Sequence, residues 1–241
     1  MRPQKKKTAR VARALQYAVA LLPLCAVAQS APSATADFHA HFQFGESSSK
    51  AHAPAAVVWL DPADKTDSPP SPGHFSLVQK NRMFTPRLLV VPVGSVVSFP
   101  NEDPFFHNVF SMFNGKRFDL GLYEAGASKE VVFSRVGVSY VFCNIHPEMS
   151  AVILTVATPF YGTADSSGRV TLHKVPPGDY VLHAWVQGIA QQDLDRMTRA
   201  IQVRSGVSNA ITLDASDAQI KPAEHLNKFG QPYDRQASPP Y

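Results

Sequence analysis

Apolar and polar positions alternate in short runs along most of this chain, and no long segment repeats its apolar residues at the helical period. The clearest runs are 56–60, 88–93, 96–99, 130–133, 139–143, 152–156, 169–172 and 180–185, bounded by Gly, Pro, Asn and Asp. Such runs predict strands, and the fold class they predict is all-β. Residues 191–200 are the exception and predict a turn or two of helix. Residues 62–73, rich in Pro, Ser and Asp, predict a linker or long loop. Asp165-Ser166-Ser167-Gly168 predicts a hairpin turn, and Val175-Pro176-Pro177-Gly178-Asp179-Tyr180 a second turn. Beyond Asp214 the chain becomes polar and Pro-containing, so 215–241 is expected to be a loosely held polar tail.

The beginning of the chain follows a different logic. Arg2, Lys5, Lys6, Lys7, Arg10 and Arg13 precede an apolar run from about Ala14 to Leu24, and Ala26-Val27-Ala28 is a small-x-small cleavage site. This predicts a signal peptide over 1–28, cleaved before Gln29, with a periplasmic mature protein and no stable membrane anchor. Removal of 1–28 changes the charge. The whole chain carries +4, whereas the mature chain keeps 17 basic residues against 19 acidic ones. The basic excess therefore belongs to the export signal, and no nucleic-acid partner is expected. Cys25 also leaves, so Cys143 is the one cysteine of the mature chain. A lone thiol in an oxidising compartment has no internal disulfide partner and is a liability unless buried or metal-bound.

Cys143 lies in Cys143-Asn144-Ile145-His146-Pro147-Glu148-Met149, with His107 upstream in Pro104-Phe105-Phe106-His107-Asn108-Val109. A thiolate, two imidazoles and a thioether form a one-copper ligand set. Soft sulfurs favour Cu(I) and imidazoles suit both oxidation states. Strand 139–143 would deliver the thiolate and strand 152–156 would carry the chain away. Asn108 is expected to hydrogen-bond across to the ligand loop and brace it. His39 and His41, two apart, share one face of a strand, where an exposed polar face is the first expectation and a metal the second. His183 reads as structural, and His52, His74, His173 and His225 show no partner pattern. No phosphate loop, nucleophile elbow or paired-carboxylate motif appears, and no convincing second His set for a substrate-binding copper, so the chain is not expected to be an enzyme.

Over 75–157 the sequence resembles the cupredoxins, the small blue copper proteins. The resemblance is carried by Phe84-Thr85-Pro86, by residues 88–94, by Val97-Ser98-Phe99-Pro100-Asn101 with His107-Asn108-Val109, and by the run 143–149, which is closer to amicyanin than to plastocyanin. It implies a Greek-key β-sandwich with one type 1 copper site. His107, Cys143 and His146 would be equatorial ligands and Met149 the weak axial one. It further implies one-electron transfer to a redox partner docking transiently near His146, with Phe105, Phe106, Ile145 and Pro147 as an apolar patch around it. A copper storage, delivery or sensing protein without a redox partner is the alternative. The chain departs from the family at Phe106 and Ile145, each standing where Pro is common before a ligand His.

Residues 163–172 and 176–182 resemble the carboxypeptidase regulatory-like, transthyretin-type β-sandwich, whose first strands would be 38–44 and 55–60. The resemblance implies a discontinuous domain, 36–62 with 158–214, interrupted by the 75–157 module. Pairing of such a module with a second β-domain also resembles the periplasmic methylamine utilization protein-like proteins.

Overall fold

In the computed structural model, which describes residues 35–45, 54–64, 70–112, 115–216 and 225–233, the chain builds four β-sheets and a separate hairpin. The expected export signal and His52 lie outside the described residues, as do parts of the expected linker and tail. The strands are β1 (Ala36–Phe44), β2 (Ala56–Pro62), β3 (His74–Ser76), β4 (Val78–Lys80), β5 (Met83–Thr85), β6 (Leu88–Pro92), β7 (Ser95–Pro100), β8 (His107–Ser111), β9 (Phe118–Tyr123), β10 (Ser128–Phe133), β11 (Gly137–Phe142) and β12 (Ser150–Val156). Then follow β13 (Tyr161–Thr163), β14 (Arg169–Val175), β15 (Gly178–Val186), helix α1 (Gln191–Met197), β16 (Arg199–Val203) and β17 (Asn209–Ala215). The fold is all-β apart from α1, which buries Leu194 and Met197.

Sheets β6-β12-β11-β8-β9 and β10-β7-β3 enclose one core. Phe99 and Phe133 meet Val109, Val141 and Ile153 there, with Cys143 and Met149 in the same cluster. Sheets β14-β1-β17 and β13-β2-β15-β16 enclose the other. In it β1 runs antiparallel to β14 and parallel to β17, and β2 lies between β13 and β15. Strand β14 shows the half-buried pattern, with Val170 and Leu172 inward and Thr171 and His173 outward.

Strand β12 is different. From Ala151 to Val156 every side chain is buried. Ala151 and Ile153 enter the core with Cys143, while Val152, Leu154 and Val156 join the cluster of the second sandwich. One strand thus forms a wall of both cores, because successive side chains point to opposite faces.

Two expectations are corrected. Asp165–Gly168 does form a turn, with Asp165 Oδ1 accepting the Ser167 and Arg169 amides. It does not make a hairpin, because β13 pairs with β2 and β14 with β1. Turn residues encode a reversal, and the sheet that each arm joins is decided by packing. The tail is also more than a loose end: residues 225–233 are seated against the 143–149 loop.

Candidate metal centre

His107 opens β8, and Cys143 follows the last residue of β11. Antiparallel pairing of β8 with β11 at Phe110 and Phe142 brings these distant segments side by side. The 143–149 loop then closes on itself: the Cys143 amide donates to the Met149 carbonyl at 3.2 Å and the Met149 amide to the His146 carbonyl at 3.0 Å. His146 is thereby folded back over Cys143.

The result is a buried cluster of three donors. Cys143 Sγ, His107 and His146 each offer one ligand atom, all within 4.8 Å of one another. Sγ lies 3.7 Å from each Nδ1, and the two Nδ1 atoms are 3.1 Å apart. Cys143 and His107 are fully buried, and His146 keeps 7% of its exposure. Met149 is fully buried in the same core cluster.

Asp103 fixes how His107 presents itself. Its Oδ2 lies 2.8 Å from His107 Nε2. A carboxylate accepts only, so the ring hydrogen sits on Nε2 and the Nδ1 lone pair faces Cys143 and His146. Asp103 also accepts the amides of Asn81, at 2.6 Å, and Arg82, at 3.0 Å. Both residues sit in the β4–β5 turn at φ 54°, a left-handed conformation unusual for residues other than glycine. One carboxylate therefore ties that turn to the metal-facing imidazole. Burial opposes its charge, but the two amides and His107 outweigh burial and hold it below the usual carboxylate range. The sequence signal was an acid four residues before the candidate His, and it was missed.

The electrostatics suit a cation. Burial lowers both imidazoles below their ordinary range, against the pull of Asp103 at His107 and reinforced by His107 at His146. Both rings are then neutral ligands at neutral pH. Burial raises the Cys143 thiol, while the backbone amides of Asn108, Ile145 and His146 face it and favour the thiolate. Two lone pairs and a sulfur facing one another in a dry pocket cannot all satisfy each other, and a soft or borderline metal ion fits that set.

Asn108 braces the site by another route than expected. Its amide faces Cys143, and its side chain donates to Asp119 Oδ1 at 2.7 Å rather than to the ligand loop. Phe105 is half-buried, with its ring 5.2 Å from that of His107 and 5.6 Å from that of His146, and the Arg82 guanidinium lies over the Phe105 ring, 5.3 Å from its centroid. Phe106, before His107, is 53% exposed, and Pro147, after His146, is exposed too. His39 donates or accepts at Thr171 Oγ1 across 3.1 Å, and among the described residues neither it nor His41 enters a group of three metal ligands. His183 pairs with Asp61 at 3.3 Å and stacks on Trp59. His225, without a partner pattern in the sequence, stacks on Phe142 at 3.9 Å.

Comparison with known proteins gives three kinds of result. The family model described as polysaccharide lyase family 4, domain II, matches residues 150–211. None of the curated proteins matches the chain. Among solved structures, a purple cupredoxin from Nitrosopumilus maritimus is similar at 26% identity over 34% of this chain and 98% of its own, with a TM-score of 0.31. A Cu(I) form of an amicyanin variant is similar at 16% identity over 41% of this chain and 98% of its own, with a TM-score of 0.33. A copper-containing nitrite reductase from Thermus scotoductus SA-01 is similar at 23% identity, with a TM-score of 0.34, and this chain covers 26% of its length. What this chain itself contributes is an all-β fold with a buried His-Cys-His cluster able to hold a metal ion.

Proposed function

We propose that this protein is a periplasmic copper-binding electron-transfer protein, with His107, Cys143 and His146 as the principal ligands and Met149 as a weak fourth. The observation that carries the reading is the convergence of Cys143 Sγ and two imidazole Nδ1 atoms in a buried pocket. Copper bound there would supply a one-electron Cu(I)/Cu(II) couple. The chain's own part is to hold the donors in one arrangement for both oxidation states. Asp103 holds the His107 ring, three amides hold the sulfur, and Phe105 packs over both imidazoles. The reading is that of a carrier, since His107, Cys143 and His146 come together in a single centre.

His146, with its residual exposed edge, is the proposed electron port, and exposed Phe106 and Pro147 give a partner an apolar place to dock briefly. The export signal motivates the compartment. Pairing of β1 and β2 with β13 to β17 supports reading 36–62 and 158–214 as one domain carrying the copper module as an insertion.

The test is titration of the mature protein with Cu(II), followed by absorption, EPR and voltammetry. One copper per chain, an intense thiolate-to-copper charge-transfer band and a reversible couple are expected. A colourless adduct would overturn the reading. Rapid surrender of the copper to a weak chelator, with no reversible couple, would replace electron transfer by copper delivery.

A further inference from the structure

The 143–149 loop makes few bonds of its own, yet several of its polar groups are satisfied by a segment 78 to 90 residues further along the sequence. Tyr233 donates its hydroxyl to the Cys143 carbonyl at 3.1 Å. The Lys228 amide donates to Asn144 Oδ1 at 3.0 Å. His225 Nε2 donates to the Pro147 carbonyl at 2.8 Å. Two anchors lie before His146, at Cys143 and Asn144, and one after it, at Pro147, so they hold the loop on both sides of that residue.

The segment is built to hold these anchors in place. Asn227 and Gln231 close a turn through the Asn227 amide and Gln231 carbonyl at 2.8 Å, and Asn227 Oδ1 accepts the Phe229 and Gln231 amides. The His225 ring lies flat on Phe142, the residue before Cys143, with an interplanar angle of 18°, and Tyr233 meets His225 edge-on. A carbonyl can only accept, so the Tyr233 hydroxyl is the donor in its bond to Cys143. Lys228 Nζ pairs with Asp119 Oδ2 at 2.8 Å, and the other oxygen of that carboxylate binds Asn108, the neighbour of His107. The segment thus touches the surroundings of both parts of the metal centre.

We propose that residues 225–233 are a strap belonging to the metal centre, which holds the ligand loop closed and slows loss of the metal. The proposal rests on the copper reading above. A metal held by His107 on one side and by Cys143 and His146 on the other leaves when the 143–149 loop lifts. Each strap bond must break for that lift. Tyr233, Lys228 and His225 are positioning residues, since none offers an atom to the metal.

The test uses full-length mature protein, loaded with one equivalent of copper and reduced. Transfer of Cu(I) to a high-affinity chelator is timed for the wild type, for the His225→Ala/Tyr233→Phe double variant and for Phe229→Ala. Phe229 lies in the strap but is 71% exposed and serves as control. The double variant should release copper about tenfold faster, the size expected from losing two hydrogen bonds and an aromatic stack. Phe229→Ala should match the wild type. An unchanged release rate in the double variant overturns the strap. A wild type that takes up no copper overturns the copper reading instead. Amide exchange of 143–149 in the metal-free proteins then decides the strap by itself, with faster exchange in the double variant expected and equal exchange refuting it.

Discussion

His107 Nε2 and Asp103 Oδ2 lie 2.8 Å apart in a site where neither side chain is more than 5% exposed. A carboxylate behind a ligand imidazole raises the basicity of the ring and adds negative charge close to the metal, which favours the more highly charged oxidation state. Asp103→Asn should therefore raise the reduction potential and weaken Cu(II) binding roughly tenfold or more, the usual effect of losing such a partner. Voltammetry and competition titration would measure the two effects. A potential that stays put or falls would show that the carboxylate does not act through His107.

The two sulfur donors should separate cleanly. Cys143→Ser should abolish the intense colour and most of the affinity, since a hydroxyl is a poor ligand for Cu(I). Met149→Leu should keep the copper and the colour while the potential rises. Absorption spectra and potentials of the two variants provide the check. Strong colour surviving in Cys143→Ser would place the metal elsewhere.

Both ligand imidazoles titrate below their ordinary value of 6.5, chiefly because burial penalises their charged forms. The unfolded chain therefore binds protons that the folded chain refuses. Their contribution to stability is fully present above about pH 6.5 and declines as pH falls towards the depressed folded values. Metal-free protein should lose thermal stability on acidification through that range. Copper should delay the loss, because it competes with protons for the same nitrogens. Melting curves of both forms between pH 7.5 and about pH 5 would test this; equal acid sensitivity with and without copper would contradict it.

Leu154 is 2% exposed and points from β12 into the second sandwich, away from the donors. Leu154→Ala should cost about 2–5 kcal/mol, as large-to-small core changes do. Because Ile153 beside it supports the other core, the loss should appear in one unfolding transition, seen equally by far-UV dichroism and by the charge-transfer band. Two separated transitions would mean that the cores are independent. An isolated 75–157 segment would expose Val90, Val152, Leu154 and Val156 to water, and should bind a hydrophobic dye that the intact protein ignores.

Much of this was visible in the sequence, for identifiable reasons. Eight of the strands showed as short apolar runs, while others, β8 and β9 among them, did not, and three donors lie so close together in 143–149 that a single loop must carry them. The two-sided burial of β12 was written in its unbroken run Ala151-Val152-Ile153-Leu154, which strict alternation would have interrupted. Asp103 was hidden because an acid in a loop has no periodicity to mark it. Residues 225–233 were hidden because they dock largely through main-chain and polar groups, and composition is blind to contacts between positions as distant as Tyr233 and Cys143. The side-chain partner of Asn108 was hidden for the same reason, since Asp119 reaches it only through β8–β9 pairing.

The double duty of β12 has a practical meaning for anyone handling this protein. The strand leaves the ligand loop directly after Met149 and then becomes the floor of a sandwich in which, among the described residues, no group of three metal ligands comes together. Harm done in that remote sandwich, by a substitution, a protease cut or heat, travels along one continuous piece of backbone to the thiolate. The colour of the copper-loaded protein would then be an inexpensive gauge of whether the whole chain is correctly assembled, readable by eye in a crude extract.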